Sequence, residues 1–77
     1  MSDDAFALRP TDEYIELNQL LKLRSLVQSG GHAKIVISEG EVRVNGEEEL
    51  RVRRKLRAGD VVTFAEHVIT VEAAAAG

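Results

Sequence analysis

Residues 29–46 read SGGHAKIVISEGEVRVNG, and this stretch decides the fold that the sequence predicts. Ser29 is placed to cap the first turn of a helix through its hydroxyl, and apolar residues then recur at helical spacing. Gly40 stands where a left-handed C-cap residue is needed. The next residues alternate between polar and apolar, and Asn45-Gly46 is a strong signal for a hairpin turn. The stretch therefore predicts a helix, a glycine stop, a strand and a tight turn in direct succession.

A shorter helix is predicted before this stretch and a small sheet after it. Asn18 is the predicted N-cap of a helix over residues 19–23, and residues 12–17 can form a brief strand or an extended segment. The glutamates at 47–49 are predicted to form a polar loop. Alternation of apolar residues predicts strands over residues 42–44, 50–56, 61–64 and 68–71. Two helices followed by about four strands predict an α+β fold with an antiparallel sheet.

The chain of 77 residues has the size of one small domain. Residues 1–11 are polar and contain the only proline, which predicts a flexible or loosely docked lead-in, with Phe6 and Leu8 able to pin it to the body. Residues 12–72 form the predicted domain, and the alanine-rich residues 73–77 a disordered tail. The absence of cysteine fits a reducing cytoplasm. The acidic opening predicts no signal peptide, and no apolar run is long enough for a membrane span.

The net charge of −3 hides an uneven distribution of charge. Residues 20–38 contain Lys22, Arg24 and Lys34 and no acid. Residues 51–57, here called the basic segment, contain five bases and no acid. A fold that joins these two blocks would create a local positive face in an otherwise acidic chain.

The basic segment has two readings. It can be a solvated strand face that balances the glutamates at 47–49, or Arg51, Arg53 and Lys55 can project from one face and contact successive phosphates. Arg54 falls on the apolar side of the alternation, so it must snorkel or mark a bulge or a strand end. The aromatic content of 4% argues against a stacking platform for single-stranded bases and favours recognition of RNA shape and backbone.

Neither a catalytic nor a metal-binding constellation is visible. His32 and His67 have no second ligand at a suitable spacing, and Ser29 has no base to activate it. The sequence therefore predicts no enzyme activity, no cofactor and no metal. The Ser-Gly-Gly opening of the second helix could bind a phosphate through its free N–H groups, with Lys34 one turn further on.

The sequence resembles the S4 RNA-binding domain, and most closely its small stand-alone bacterial members. The resemblance covers residues 13–71. It rests on LNQLL at residues 17–21, SGGHAK at 29–34, ISEG at 37–40, VRVNG at 42–46 and GDVV at 59–62.

The S4 fold implies a helix-turn-helix-like pair of short helices packed on a small antiparallel sheet of about four strands. It also implies that RNA is held along the helix pair and the adjoining loop. The positions that the resemblance assigns to RNA binding are Lys22, Ser29, His32, Lys34, Arg43, Asn45, Arg51, Arg53 and Lys55. Many S4 domains carry arginine directly after the helix-opening serine, where this chain has Gly30. Either the basic segment replaces that contact or affinity is low.

The leading hypothesis is a non-catalytic, cytoplasmic RNA-binding domain that acts as a monomer. Its expected partner is structured or double-helical RNA, such as ribosomal RNA, with no membrane partner. A protein-interaction module with charge-patterned surfaces is the alternative, and a protein partner that shares the basic face stays open. A β-grasp sulfur carrier is suggested by the strand-Asn-Gly motif and the terminal glycine, but here the helices precede the sheet.

Overall fold

The computed structural model describes residues 2–74 and places two helices against two small sheets. The elements are β1 Ser2–Ala7, β2 Ile15–Glu16, α1 Leu17–Leu23, α2 Gly30–Ser38, β3 Val42–Val44, β4 Glu47–Glu48, β5 Lys55–Leu56, β6 Val61–Phe64 and β7 His67–Glu72. The larger sheet has the order β1-β7-β6-β3-β4, and β2 pairs with β5. The α+β class is confirmed. The larger sheet has five strands and is mixed, because β1 runs parallel to β7.

Helix α2 and strand β3 form as the sequence predicts. The Ser29 hydroxyl accepts a hydrogen bond from the His32 N–H at 3.1 Å and so caps α2. Gly40 has a φ of +77°, and the N–H groups of Gly40 and Glu41 return to the carbonyls of Ile37 and Val36, which is the Schellman arrangement. These contacts satisfy carbonyls at the end of α2 that have no partner inside the helix.

The turn after β3 also matches its prediction, whereas the polar loop of glutamates does not. Asn45 and Gly46 have φ values of +54° and +83°, as a two-residue hairpin turn of type I′ requires. The hairpin continues beyond the turn, because Glu47–Glu48 form β4 opposite β3. Residues 47–48 are therefore a strand at the edge of the sheet, with exposed side chains.

One hydrophobic core lies between the helix pair and the larger sheet. Helix α1 contributes Leu17, Leu20 and Leu21, all of them fully buried, at the spacing of one helical face. Lys22 falls outside that stripe and is exposed, as the sequence predicts. The other buried residues of the helices and the larger sheet are Ala33, Val36, Ile37, Val42, Val44, Val62, Ile69 and Val71.

The start of α1 differs from its prediction. The helix begins at Leu17 and its N-cap is Glu16, whose side chain makes no capping hydrogen bond, so Asn18 lies inside the helix. The first N–H groups of α1 are satisfied by the basic segment instead. Leu17 donates to the Arg54 carbonyl at 2.9 Å, and Asn18 donates to the Val52 carbonyl at 3.1 Å. Because these acceptors are distant in sequence, the local capping pattern does not reveal them.

Most of the segment that the sequence analysis places in a flexible lead-in is a strand of the larger sheet. Ser2–Ala7 pairs with all six residues of His67–Glu72, and the N–H of Leu8 donates to the Glu72 carbonyl at 3.0 Å. Arg24, at the end of α1, forms an ion pair with the Asp4 carboxylate. Leu8 is buried and Phe6 packs against the core, so both hold the segment in place. Of the predicted tail, residues 73–74 have no regular structure, and residues 75–77 lie outside the described part of the chain.

The strand predicted over residues 50–56 is also wrong for most of its length. Only Lys55–Leu56 is a strand, and the preceding residues make a turn. The carbonyls of Val52 and Arg54 are taken by the first N–H groups of α1, so they do not join a ladder with another strand. The apolar alternation is kept only in part, since Leu56 is buried while Leu50 is 54% exposed.

The conformation of Gly40 leads to a stability prediction. An alanine Cβ at this position would lie 2.6 Å from a carboxylate oxygen of Glu48, and the φ of +77° is unfavourable for any side chain. Gly40→Ala should therefore lower the free energy of unfolding by about 1 to 2 kcal/mol, measured by urea denaturation. In Gly30→Ala the new methyl group meets no atom within 4 Å, and the residue is helical. This control should be neutral or stabilising by up to about 1 kcal/mol. Equal losses in both variants would contradict the assignment of Gly40 as the left-handed residue that ends α2.

Candidate nucleic-acid interface

The basic segment folds around a shallow concavity of about 510 Å³. Its lining consists of five cationic side chains, Arg51, Arg53, Arg54, Lys55 and Arg57. The alternation in the sequence predicts that three of them project from one face of a strand. The structure instead gathers them, together with Arg54 and Arg57, around a turn that packs on the N-terminal end of α1.

The carboxylate of Glu49 holds this arrangement in place. Glu49 is only 7% exposed. It accepts hydrogen bonds from the backbone N–H of Arg51 at 3.0 Å and from the guanidinium of Arg51 at 2.9 and 3.1 Å. The guanidinium of Arg54 donates a further hydrogen bond at 2.6 Å. A buried carboxylate needs such partners, because its desolvation is costly when it is unpaired. The departure of Arg54 from the alternation is explained by this contact.

The ionisation of Glu49 follows from these contacts. Hydrogen bonds from Arg51 lower its pKa from an ordinary value of 4.5 to about 2, against the opposing effect of burial. A smaller part of this lowering comes from the Arg54 guanidinium, and Glu49 in turn raises the pKa of Arg51. Glu49 is therefore ionised at neutral pH, and its charge is paired with the guanidinium groups of Arg51 and Arg54.

Three cations of the basic segment remain without a carboxylate partner. Among the ion pairs of residues 2–74, none involves Arg53, Lys55 or Arg57. The Lys55 ammonium lies 4.9 Å from the centre of the Tyr14 ring, and the Arg57 guanidinium lies 5.6 Å from it. Both distances are in the range of a cation–π contact. Tyr14 thus holds two cations at the surface without neutralising them.

The helix pair supplies two further free cations and two residues with local structural roles. Lys22 and Lys34 are exposed and form no ion pair within the described part of the chain. Ser29 is occupied by capping α2. The Nδ1 atom of His32 accepts a hydrogen bond from the Gln28 N–H at 3.2 Å, which leaves Nε2 as the other polar atom of the ring.

The hairpin residues of the predicted site, Asn45 and Arg43, already make hydrogen bonds within the protein. The Asn45 side chain donates to Asp60 at 3.0 Å and accepts from the Val61 N–H at 2.9 Å, so it joins the turn to the start of β6. The Asp60 carboxylate also accepts from the Arg57 N–H at 2.8 Å, and these hydrogen bonds hold the pKa of Asp60 low against the effect of burial. Arg43 reaches the Gly46 carbonyl at 3.4 Å.

The structure brings together part of the predicted site. Arg51, Arg53 and Lys55 share the concavity of the basic segment, and Lys22 lines a second groove that contains Tyr14. The remaining predicted residues line neither of these two depressions: Ser29, His32, Lys34, Arg43 and Asn45. Their contact with RNA remains a prediction.

Sequence reasoning missed three contributors to this surface. Glu49 stands in a run of three glutamates that reads as solvated, and only its partners distinguish it. Tyr14 is separated in sequence from the cations that it holds. Arg54 could be noticed in the sequence, because it occupies a position where the alternation of residues 50–56 calls for an apolar side chain.

Within residues 2–74, the structure shows no cluster of three His, Asp or Glu side chains that could hold a metal ion.

Comparison with known proteins gives consistent matches over most of the chain. The sequence model of the S4 domain family matches residues 8–72. The chain is 48% identical over 60 residues to the Escherichia coli (strain K12) protein named "Putative RNA-binding protein YbcJ", which covers 78% of this chain and 86% of that protein. It is 56% identical over 50 residues to the Bacillus subtilis (strain 168) protein named "Probable ribosome maturation protein RlbA", over 65% of this chain and 70% of that protein.

A solved structure shares the fold. The solution structure of YbcJ from E. coli matches with a TM-score of 0.67 and 44% sequence identity, over 88% of this chain and 85% of that chain. It is described as revealing an alfaL motif involved in RNA binding. That description concerns YbcJ.

The low pKa of Glu49 predicts how stability depends on pH. Because its folded-state pKa lies below its ordinary value, the ionised carboxylate stabilises the fold fully above pH 4.5, and this contribution is lost as the pH falls toward about 2. The lost stability should be about 1 to 3 kcal/mol, since solvent around Arg51 screens part of the interaction. Urea denaturation between pH 7 and pH 2.5 measures it.

Glu49→Gln should remove this component, so the variant is less stable than the wild type at pH 7 and loses less on acidification. Glu47→Gln is the matched control, because Glu47 is exposed and has no ion pair among the described residues. It should keep the wild-type profile. If Glu49→Gln also keeps that profile, Glu49 does not anchor the basic segment.

Proposed function

The chain belongs to the S4 domain family, and from this premise we propose that it is a non-catalytic, cytoplasmic RNA-binding protein that holds the phosphate backbone of structured RNA. The basic segment is its main contact surface. Lys22 and Lys34 extend the contact along the helix pair. Ribosomal RNA is the proposed target, in line with the name of the B. subtilis relative.

The observation that carries the proposal is the concentration of cations around the basic segment. Five cationic side chains line one concavity, and the single carboxylate that pairs with two of them is buried beneath. Like charges this close repel one another, so folding alone gives no reason to gather them. A polyanion relieves that repulsion and releases its own counterions on binding. An RNA backbone offers phosphates at regular spacing to match several cations at once.

The basic segment is also our candidate for replacing the phosphate contact of the arginine that the helix-opening motif lacks at Gly30, the first residue of α2. Gly30 offers no side chain to a phosphate, and no atom lies within 4 Å of the position where its Cβ would be. Arg53, Lys55 and Arg57 supply three free cations next to the start of α1. We infer that these residues take over the phosphate contact, with sequence-independent recognition of A-form geometry as the result.

Arg53 gives the cleanest test of phosphate binding, because it is exposed and has no ion pair in the described part of the chain. Arg53→Gln should weaken binding to a labelled RNA hairpin by about threefold to tenfold at low salt. The slope of log affinity against log salt should become shallower by about 0.7 to 0.9, the value for one lost phosphate contact. Fluorescence anisotropy over a series of KCl concentrations measures both quantities.

The control is Ala73→Glu, which changes the net charge by the same amount at an exposed position one residue beyond β7. It should leave the salt slope unchanged. Equal effects of the two variants would show that only net charge matters. No binding by the wild type would reject the proposal and favour a protein-interaction module.

Substitution of Glu49 provides a second test of RNA binding, in which the expected change in affinity is opposite to the change that net charge alone predicts. Removing a negative charge beside a phosphate site normally strengthens RNA binding. Glu49→Gln should weaken it by about threefold or more, because Arg51 and Arg54 lose the partner that positions them. Glu47→Gln removes the same charge from an exposed position and should bind RNA as well as the wild type or better. Tighter binding by Glu49→Gln would overturn the positioning role.

A further inference from the structure

A second depression lies beside the basic segment and differs from it in chemistry. This groove, here called the α1 groove, has a volume of about 660 Å³, within the range of small-ligand sites. Phe6, Ile15 and Leu23 give it apolar walls. Leu23 is 62% exposed, which is unusual for leucine on a helix whose neighbours fill the core.

Polar groups are also present in the α1 groove. Gln19 contributes an amide that can both donate and accept hydrogen bonds, and Lys22 contributes a free positive charge. Arg9 and Asp12 pair with each other at 2.9 Å, which lowers the pKa of Asp12 and leaves this pair neutral overall. The lining thus combines apolar walls, a hydrogen-bonding amide and one net positive charge. A nucleotide has the complementary parts: a flat base with polar edges and an anionic phosphate.

Tyr14 connects the α1 groove to the basic segment. Tyr14 lines the groove and, as a residue, is 37% exposed, so the groove side of this residue is within reach of a ligand. The cations that lie over the Tyr14 ring, Lys55 and Arg57, line the concavity of the basic segment. A phosphate held by Lys55 is therefore one side chain away from the groove. Stacking of a base on an aromatic ring is tolerant of sequence and contributes substantially to binding.

We propose that the α1 groove accepts the base of one unpaired nucleotide of the bound RNA, stacked against Tyr14, while Lys55 and Arg57 hold an adjacent phosphate. This inference rests on the proposed function and narrows it: the preferred RNA is a helix that carries a bulged or terminal unpaired nucleotide. Gln19 and Lys22 are the groups that meet the edge of the base and its phosphate. An apolar peptide side chain would leave these cations without a partner, so charge complementarity favours the nucleotide.

The test compares two RNA hairpins that differ by one nucleotide. One has a fully paired stem, and the other carries a single extra 2-aminopurine nucleotide that cannot pair. The wild-type protein should bind the bulged hairpin about tenfold more tightly, and the fluorescence of 2-aminopurine should fall on binding because the base stacks. The chain has one tyrosine and no tryptophan, so tyrosine fluorescence reports on Tyr14 without any substitution. It should be quenched only by the bulged hairpin.

Substitutions then assign the effect to Tyr14. Tyr14→Leu should abolish the preference for the bulged hairpin, measured as the ratio of the two affinities. A loss of phosphate contact through Lys55 and Arg57 affects both hairpins alike and cancels in that ratio. Tyr14→Phe keeps the ring and should keep the preference. Circular dichroism confirms that each variant is folded, and the wild-type fluorescence decides the question if Tyr14→Leu is not.

The possible outcomes separate this inference from the proposed function. Equal affinity of the wild type for both hairpins, with unchanged 2-aminopurine fluorescence, would overturn the groove site and leave backbone binding intact. A preference that survives in Tyr14→Leu would place the unpaired base elsewhere and also overturn it. Failure to bind either hairpin would reject the proposed function together with the inference.

Discussion

The ion pairs of Glu49 are the interaction on which the shape of the basic segment depends. The backbone N–H of Glu49 donates to the Val42 carbonyl at 3.0 Å, so the residue is fixed to β3. Its carboxylate then holds Arg51 and Arg54, and the Arg54 carbonyl accepts the first N–H of α1. One buried charge thus joins the sheet, the basic segment and the helix pair. Without it, Arg51 and Arg54 would lose their carboxylate partner, and the mutual repulsion of the five cations would weaken the fixed conformation of this segment.

The parts of the fold that the sequence predicts are those with local determinants. The cap at Ser29, the left-handed Gly40 and the positive φ angles of Asn45-Gly46 between the paired Val44 and Glu47 are features that span only a few positions. Backbone geometry and hydrogen bonding at such short range leave few alternatives. The burial of α1 follows in the same way from the helical spacing of its leucines.

The errors fall where a distant partner decides the structure. Strand β1 exists because β7 offers it a parallel edge more than 60 residues further along the chain, and the hexapeptide SDDAFA has no period-two alternation to indicate that pairing. The basic segment has the alternation of a strand, but two of its backbone carbonyls accept hydrogen bonds from the first N–H groups of α1 instead of from a neighbouring strand. The local sequence pattern does not reveal these hydrogen bonds. The same distinction applies to the candidate site. The cations of the basic segment are visible in the sequence as a run of five bases without an acid. The roles of Glu49 and Tyr14 cannot be predicted in this way, because they depend on neighbours in space.

An acidic protein can bind a polyanion if its acids and bases occupy different surfaces, and the hairpin of β3 and β4 shows how this is arranged. Glu47 and Glu48 are exposed on the edge strand, while Glu49, the next residue, turns inward and is neutralised by arginines. Within a Debye length of roughly 8 Å at physiological salt, a phosphate at the basic segment responds to the nearby cations more than to the net charge. Under the proposed function, the exposed glutamates of β4 would repel RNA that approaches from their side. They would thereby suppress non-specific binding and favour the orientation in which the basic segment faces the backbone.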